Sequence, residues 1–312
     1  MIGIDRVLRS NLRLRHLQLL VALDEFRHLG RTAEFLSVTQ PAVSKMLAEI
    51  EKTFDLQLFE RSSRGTEPTP YGVTVIKFAR SVLADYDRAK IEIAAVTEGS
   101  AGRVQVGAMV AATPTLLTQA VNNLKKNATK TTVLIEEGDL RRLLPRLRSG
   151  ELDLIVGRLE PGYAAPDLDT EALYNESMCL ICSPNHEILK GKIIDWPLLS
   201  QQAWIVPPSW AASRTKLNQI FYKHNLHPPE NIIESASFLN ILMSLQTGSA
   251  IGFMAHQVAQ HFEQQGLMSI IPIELEIDLP PIGIITLDGR EKTPTTLKLI
   301  EQLRMVNGCE NT

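Results

Sequence analysis

The chain has 312 residues, 44% of them hydrophobic and 21% charged, with a formal net charge of −3. That composition excludes a disordered chain, and no apolar run approaches the ~20 residues that a membrane-crossing helix needs. Met1 to Arg6 lacks the basic-then-apolar pattern of a secretion signal, so the expected location is the cytoplasm.

In chain order, Leu12 to Phe26 carries a broad apolar stripe through Leu14, Leu17, Leu20, Val21 and Leu23 and predicts a first helix. Gly30 and Arg31 precede a second, with Ala33, Phe35 and Leu36 facing inward. Ser37, Val38 and Thr39 make a turn. Thr39 suits the N-cap of a third helix, with Pro41 where a missing N–H costs nothing. That helix buries Val43, Leu47, Ile50 and Phe54, which leaves Gln40, Ser44, Lys45 and Ala48 on its outer, N-terminal face. Such short or hydrogen-bonding side chains suit a helix entering a major groove. On periodicity alone, a plain helical hairpin fits as well. Asp55 to Phe59 alternates like a strand, and Arg61, Ser62, Ser63, Arg64 and Gly65 form a basic turn suited to a wing on the phosphate backbone.

This run resembles the winged helix-turn-helix of LysR-type transcriptional regulators. The residues carrying the resemblance are Ala33, Val38 to Ser44, Leu47, Glu51, Leu58 to Arg61, Arg64-Gly65, Thr69 and Gly72. It implies transcriptional regulation, a periplasmic-binding-protein-like sensor and dimers or tetramers. The expected partners are double-stranded operator DNA, a small-molecule effector and RNA polymerase. Arg31, Thr39, Gln40, Pro41, Ser44, Lys45, Arg61 and Arg64 become the candidate DNA contacts. The first hundred residues are near neutral, so charge only permits this reading and local placement must carry it.

Glu67 to Pro70 closes the wing, with Thr69 capping a long helix and Pro70 at its first position. Its apolar series Tyr71, Val75, Phe78, Val82, Tyr86, Ala89, Ile93, Val96 advances by four, three, four, four, three, four and three. A seam this narrow favours pairing with a second copy over packing on one domain. In the resembling family this is the linker through which two copies dimerise.

Glu98 to Gly102 is a flexible break. Beyond it strands (Arg103–Met109, Thr131–Glu136, Leu152–Gly157) alternate with helices (Leu116–Leu124, Leu140–Ser149), which implies a parallel sheet. A second unit follows with strands at Ser177–Ser183, Ala203–Val206, Ile232–Ser235 and Ala250–Met254. Its helices span Ser213–His224, Phe238–Gln246 and Val258–Gln264. Leu275 to Leu279 carries the chain back, and strand Ile282–Leu287 and helix Thr295–Met305 finish the first unit. The expected fold is α/β: a winged helix-turn-helix (1–69), a linker helix (70–98) and an effector domain of two α/β subdomains (102–174 with 278–312, and 175–277).

Ligands of such sheets bind beyond the carboxyl ends of the strands. Those ends place Met109, Ala111, Thr113, Thr115, Asp139, Pro207, Ser209, Ser237 and Phe238 around one cleft, with Trp210 beside Ser209. Helix N-termini rich in hydroxyls favour an anionic or hydrogen-bonding effector, and Trp210 and Phe238 suit its flat or apolar part. Capping alone also explains each Ser, Thr and Asp. Ala111 falls where several family members carry a serine or threonine, so Thr113 is the expected substitute. Arg158 is a candidate counter-ion for a carboxylate or sulfonate.

Cys179-x-x-Cys182 lies on a strand, where positions three apart face opposite ways, and no second ligand pair accompanies it. No catalytic constellation, metal site or cofactor motif is present in the sequence. The alternative function is a cytoplasmic small-molecule-binding protein whose helix-turn-helix is purely structural.

Overall fold

The computed structural model describes residues 12–62, 65–98, 102–191, 193–275, 277 and 279–310. Arg64, and the side chains of Arg61, Val96 and Cys309, lie outside what is described.

The N-terminal part is built from α1 (Leu14–Phe26), α2 (Leu29–Phe35) and α3 (Gln40–Phe54), followed by β1 (Phe59–Ser62) and β2 (Gly65–Pro68) as an antiparallel pair. Leu19, Leu20, Leu23, Val43, Leu47, Ile50 and Leu58 form its core. Two expectations change. Asp55 adopts a left-handed φ of 53° as the cap of α3, so the strand starts at Phe59 and takes in Arg61 and Ser62. Phe35 is 65% exposed because α2 ends there, although its ring keeps a 5.1 Å contact with Phe26.

Helix α4 (Pro70–Glu98) follows. The Thr69 hydroxyl caps it by accepting from the Gly72 amide at 3.1 Å and donates to the Gln57 carbonyl at 2.8 Å. Gly72 is required: a Cβ there would lie 2.0 Å from the Leu58 carbonyl oxygen. Ile76 and Ala79 pack inward on the N-terminal core. The Tyr71, Phe78, Tyr86 and Ile93 positions of the seam stay exposed.

The remainder contains two five-stranded sheets. The first holds β3 (Arg103–Ala108), β4 (Thr132–Glu137), β5 (Leu154–Arg158), β6 (Leu168–Tyr174) and β12 (Ile282–Leu287) in the order β4-β3-β5-β12-β6. The helices on it are α5 (Thr118–Asn127), α6 (Leu140–Ser149) and α11 (Pro294–Glu310), of which α5 and α11 cover one face and α6 the other. The second sheet is ordered β11-β7-β10-β8-β9, from β7 (Met178–Cys182), β8 (Ala203–Val206), β9 (Ile232–Glu234), β10 (Ala250–Ala255) and β11 (Ser269–Ile270). It carries α7 (Trp196–Ser200), α8 (Ala212–Lys223), α9 (Phe238–Thr247) and α10 (His256–Gln264).

The sheets are mixed, not purely parallel. Strand β12 runs antiparallel to β5 and β6, and β7 runs antiparallel to β10. The chain leaves the first sheet after Tyr174 and returns to it at Ile282, so the return strand has no helix crossover to set its direction parallel. Among the described residues no helix is long and apolar enough to cross a membrane.

Candidate functional site: the start of the third helix and an inter-unit cleft

Thr39 has extended backbone, and its hydroxyl accepts from the Ala42 amide at 3.4 Å, which starts α3 as Pro41 requires. Because Val43, Leu47 and Ile50 are buried, Gln40, Pro41, Lys45 and Ala48 stand in solvent and Ser44 is half-buried. Arg31 is exposed too, but it lies inside α2 and not before it. The residue starting that helix is His28, whose ring accepts from the Gly30 and Arg31 amides at 3.1 and 3.3 Å. A histidine cap gives little signal in sequence.

The wing is held from two sides. Glu51 turns back from α3, and one carboxylate oxygen accepts from the Leu58 and Phe59 amides at 2.8 and 3.1 Å. On the other side the Thr66 amide donates to the Arg27 carbonyl at 2.9 Å. Gly65, at φ 132°, passes that carbonyl where a Cβ would lie 2.9 Å from it, so both conformation and space demand glycine. Arg61 sits in β1 opposite Thr66.

The second group of residues gathers where the two sheets meet. Ala111 packs against core residues of both. Around it the backbone winds through short irregular turns at Val110–Leu117, and α5 starts only at Thr118. The Thr113 hydroxyl is spent locally, donating to the Met109 carbonyl at 3.1 Å. Thr115 instead reaches the other unit, donating to the Gln257 side-chain oxygen at 3.5 Å. Asp139 caps α6 through the Arg142 amide at 3.0 Å. Burial works against its charge, but the Arg141 guanidinium and the Arg142 amide more than offset that and hold its carboxyl below the usual range.

Trp210 is not open on both faces: the Arg141 guanidinium lies 3.6 Å from its ring centroid, a contact between the two units. Phe238 packs on Phe262 at 4.6 Å. Ser237 caps α9 by accepting from Asn240, and Ser209 is exposed. The Pro207 carbonyl accepts from Arg214, a buried guanidinium that also pairs with Glu234 at 3.1 Å. Arg158 ends β5 and is only 6% exposed, donating to the Pro280 carbonyl at 2.7 Å. Burial lowers its pKa while Glu176 and Glu160 oppose that, and burial raises the Glu160 carboxyl in turn. Arg158 is therefore embedded where the chain crosses between units, with acidic company sequence reasoning did not find.

Cys179 and Cys182 lie on opposite faces of the second sheet, in different core clusters, and burial pushes both thiols up to about 12. They are packing residues. A crevice of about 820 Å³ lies away from the cleft, between α4 and the first unit, with Arg80, Arg88, Arg103 and Asp153 on its walls.

Comparison with known proteins matches residues 14–73 to the bacterial regulatory helix-turn-helix proteins of the LysR family and residues 97–307 to the LysR substrate binding domain. The HTH-type transcriptional regulator GbpR of Azospirillum brasilense is 32% identical over 300 residues, covering 95% of this chain and 87% of that protein. Among solved structures, CbnR, a LysR family transcriptional regulator, superposes with a TM-score of 0.72 at 17% identity, covering 95% of this chain and 99% of that one. Full-length CbnR complexed with its target DNA gives 0.70 at 18% identity, with 95% and 100% covered. The chain belongs to the LysR family: it is a transcriptional regulator with a helix-turn-helix DNA-binding domain and a substrate-binding domain.

Proposed function

We propose that this regulator binds operator DNA as an oligomer and senses a small anionic or aromatic effector in the cleft between its two α/β units. Gln40, Pro41, Ser44 and Lys45 probe the major groove from the turn that Thr39 caps, and Arg31, Arg61 and Arg64 hold phosphates. The observation that carries this reading is the solvent-facing start of α3, where Gln40, Pro41 and Lys45 stand clear while Val43, Leu47 and Ile50 on the opposite face are buried and Phe54 is partly so. Near-neutral charge in the first hundred residues means one copy binds weakly, so duplicated contacts are needed. The exposed Tyr71, Phe78, Tyr86 and Ile93 on α4 support a homodimer through residues 70–98, and two such dimers form a tetramer.

The reader spans 1–69, and the sensor comprises 102–174 with 278–312 and 175–277. Met109, Ala111, Thr113, Thr115, Asp139, Arg158, Pro207, Ser209, Trp210, Ser237 and Phe238 surround the effector. It acts in the cytoplasm, without enzymatic turnover, and signals to RNA polymerase. Replacing Arg61 and Arg64 by alanine is expected to lower DNA affinity and to reduce the magnitude of the salt slope by about 2 for each protomer that contacts the DNA. Unchanged affinity and slope would favour a small-molecule binder with a structural helix-turn-helix. A thermal-shift screen of small anions, aromatics and sugars identifies the effector class.

A further inference from the structure

Charged side chains of alternating sign run without a break from the wing to the mouth of the cleft. At the wing, Glu67 pairs with Arg27, which pairs with Asp24 at 2.8 Å. Asp24 then holds Arg80 of α4 at 3.0 Å. Arg80 reaches out of the DNA-binding domain to Glu151 of the first unit at 3.5 Å. Glu151 is held by Arg146 at 3.1 Å, and Arg146 by Glu136 at 2.5 Å. Glu136 also takes Arg142 at 3.2 Å, in the first turn of the helix that presents Arg141 to Trp210.

The carboxylates of the middle rungs and Arg80 are shielded, with side chains of Glu136, Asp24, Glu151 and Arg80 between 12% and 29% exposed, while Arg146 between Glu151 and Glu136 is 38% exposed. Two further pairs tie α4 to the same unit: Arg88 to Asp153 at 3.1 Å, and Asp85 to Arg290 at 2.6 Å. The crevice of about 820 Å³ opens beside these ties, and the core clusters of the first unit take in no residue of α4.

We propose that this ladder couples the cleft to the wing inside one protomer, with Arg146 as the shared cation. Arg146 bridges a carboxylate at the cleft end of β4 and the carboxylate that receives the linker helix. A change that draws Arg146 toward Glu136 takes charge from Glu151 and loosens Arg80. The DNA-binding domain then turns more freely on its own sensor. The device rests on the regulatory reading only for its effect on DNA.

Arg146→Gln in the full chain tests it, with Arg148→Gln as the control. Arg148 sits on the same helix and pairs with Asp167 at 2.6 Å, outside the ladder. Hydrogen exchange needs no DNA or effector. In Arg146→Gln, peptides over residues 77–92 are expected to exchange about 3- to 10-fold faster, as wild type does in molar salt, while Arg148→Gln matches wild type. Affinity for a duplex selected by the protein from a random pool is expected to change by a similar factor only in Arg146→Gln. Should Arg146→Gln fold poorly, Glu151→Gln removes the next rung and carries the same expectation. Equal exchange in the two arginine variants, or no response of 77–92 to salt, overturns the ladder. Altered exchange with unaltered DNA affinity overturns its coupling to the wing.

Discussion

Glu51 is the residue on which the geometry of the wing turns. One of its two carboxylate oxygens accepts from both the Leu58 and Phe59 amides, at 2.8 and 3.1 Å, just where the chain leaves α3 for β1. Leu58 and Phe59 are 0% and 2% exposed, so water has poor access to those amides once the acceptor is gone. A bond to a charged acceptor contributes about 1.5–3 kcal/mol net, and two bonds sharing one oxygen contribute less than twice that. Glu51→Ala is therefore expected to cost about 2–4 kcal/mol in local stability. Glu51→Gln keeps a carbonyl acceptor and loses only the charge, for a cost of about 1 kcal/mol. Native-state hydrogen exchange on the full chain reads this directly, in peptides spanning Leu47 to Ser62. DNA binding should weaken in the same order if the wing carries the proposed phosphate contact of Arg61. The reasoning fails if alanine costs less than about 0.5 kcal/mol, or if glutamine costs as much as alanine.

Gly72→Ala drives a Cβ to 2.0 Å from the Leu58 carbonyl and is expected to cost about 3 kcal/mol, the upper end for overpacking, measured by denaturant unfolding. Burial, then Arg15 and Arg13, lower the His16 pKa from 6.5, so the unfolded chain takes up its proton first. The stability from neutral His16 is whole above 6.5 and is lost as pH falls toward the lowered value. His16→Gln should flatten unfolding free energy against pH below 6.5, and an unchanged slope removes His16 from the acid sensitivity. Phe78→Glu places a charge in the exposed seam of α4 and should weaken self-association roughly tenfold by sedimentation, while Lys77→Glu beside it should not.

Features set by a few neighbouring residues were legible in sequence. Thr39 with Pro41 and Thr69 with Pro70 mark helix starts by local chemistry, and both helices begin there. The alternation of apolar residues located most strands of both sheets. Strand β6 is hidden in the sequence because it is an edge strand with Asp169, Thr170 and Ala172 exposed and no residue buried, so its pattern lacks a buried face. The five-residue α7 is too short to show a period. The direction of β12 depends on where a distant strand offers an open edge, which no local pattern states. The same holds at the cleft. Arg141 over Trp210, Thr115 to Gln257, and Arg158 among Glu160 and Glu176 join residues remote in sequence.

The placement of β12 has a consequence for how the protein is made. It lies between β5 and β6, and with α11 it supplies Ile282, Ile284, Leu299, Ile300, Leu303 and Val306 to the core of the first unit. That core stays open on the ribosome until residues 279–310 emerge, long after the DNA-binding domain and α4 are complete. A ribosome that stops near residue 280 therefore releases a chain with a finished DNA reader and an unfinished sensor. Frameshifts at codons 280–310 would yield proteins that keep a folded DNA-binding domain and lose the core of the first unit.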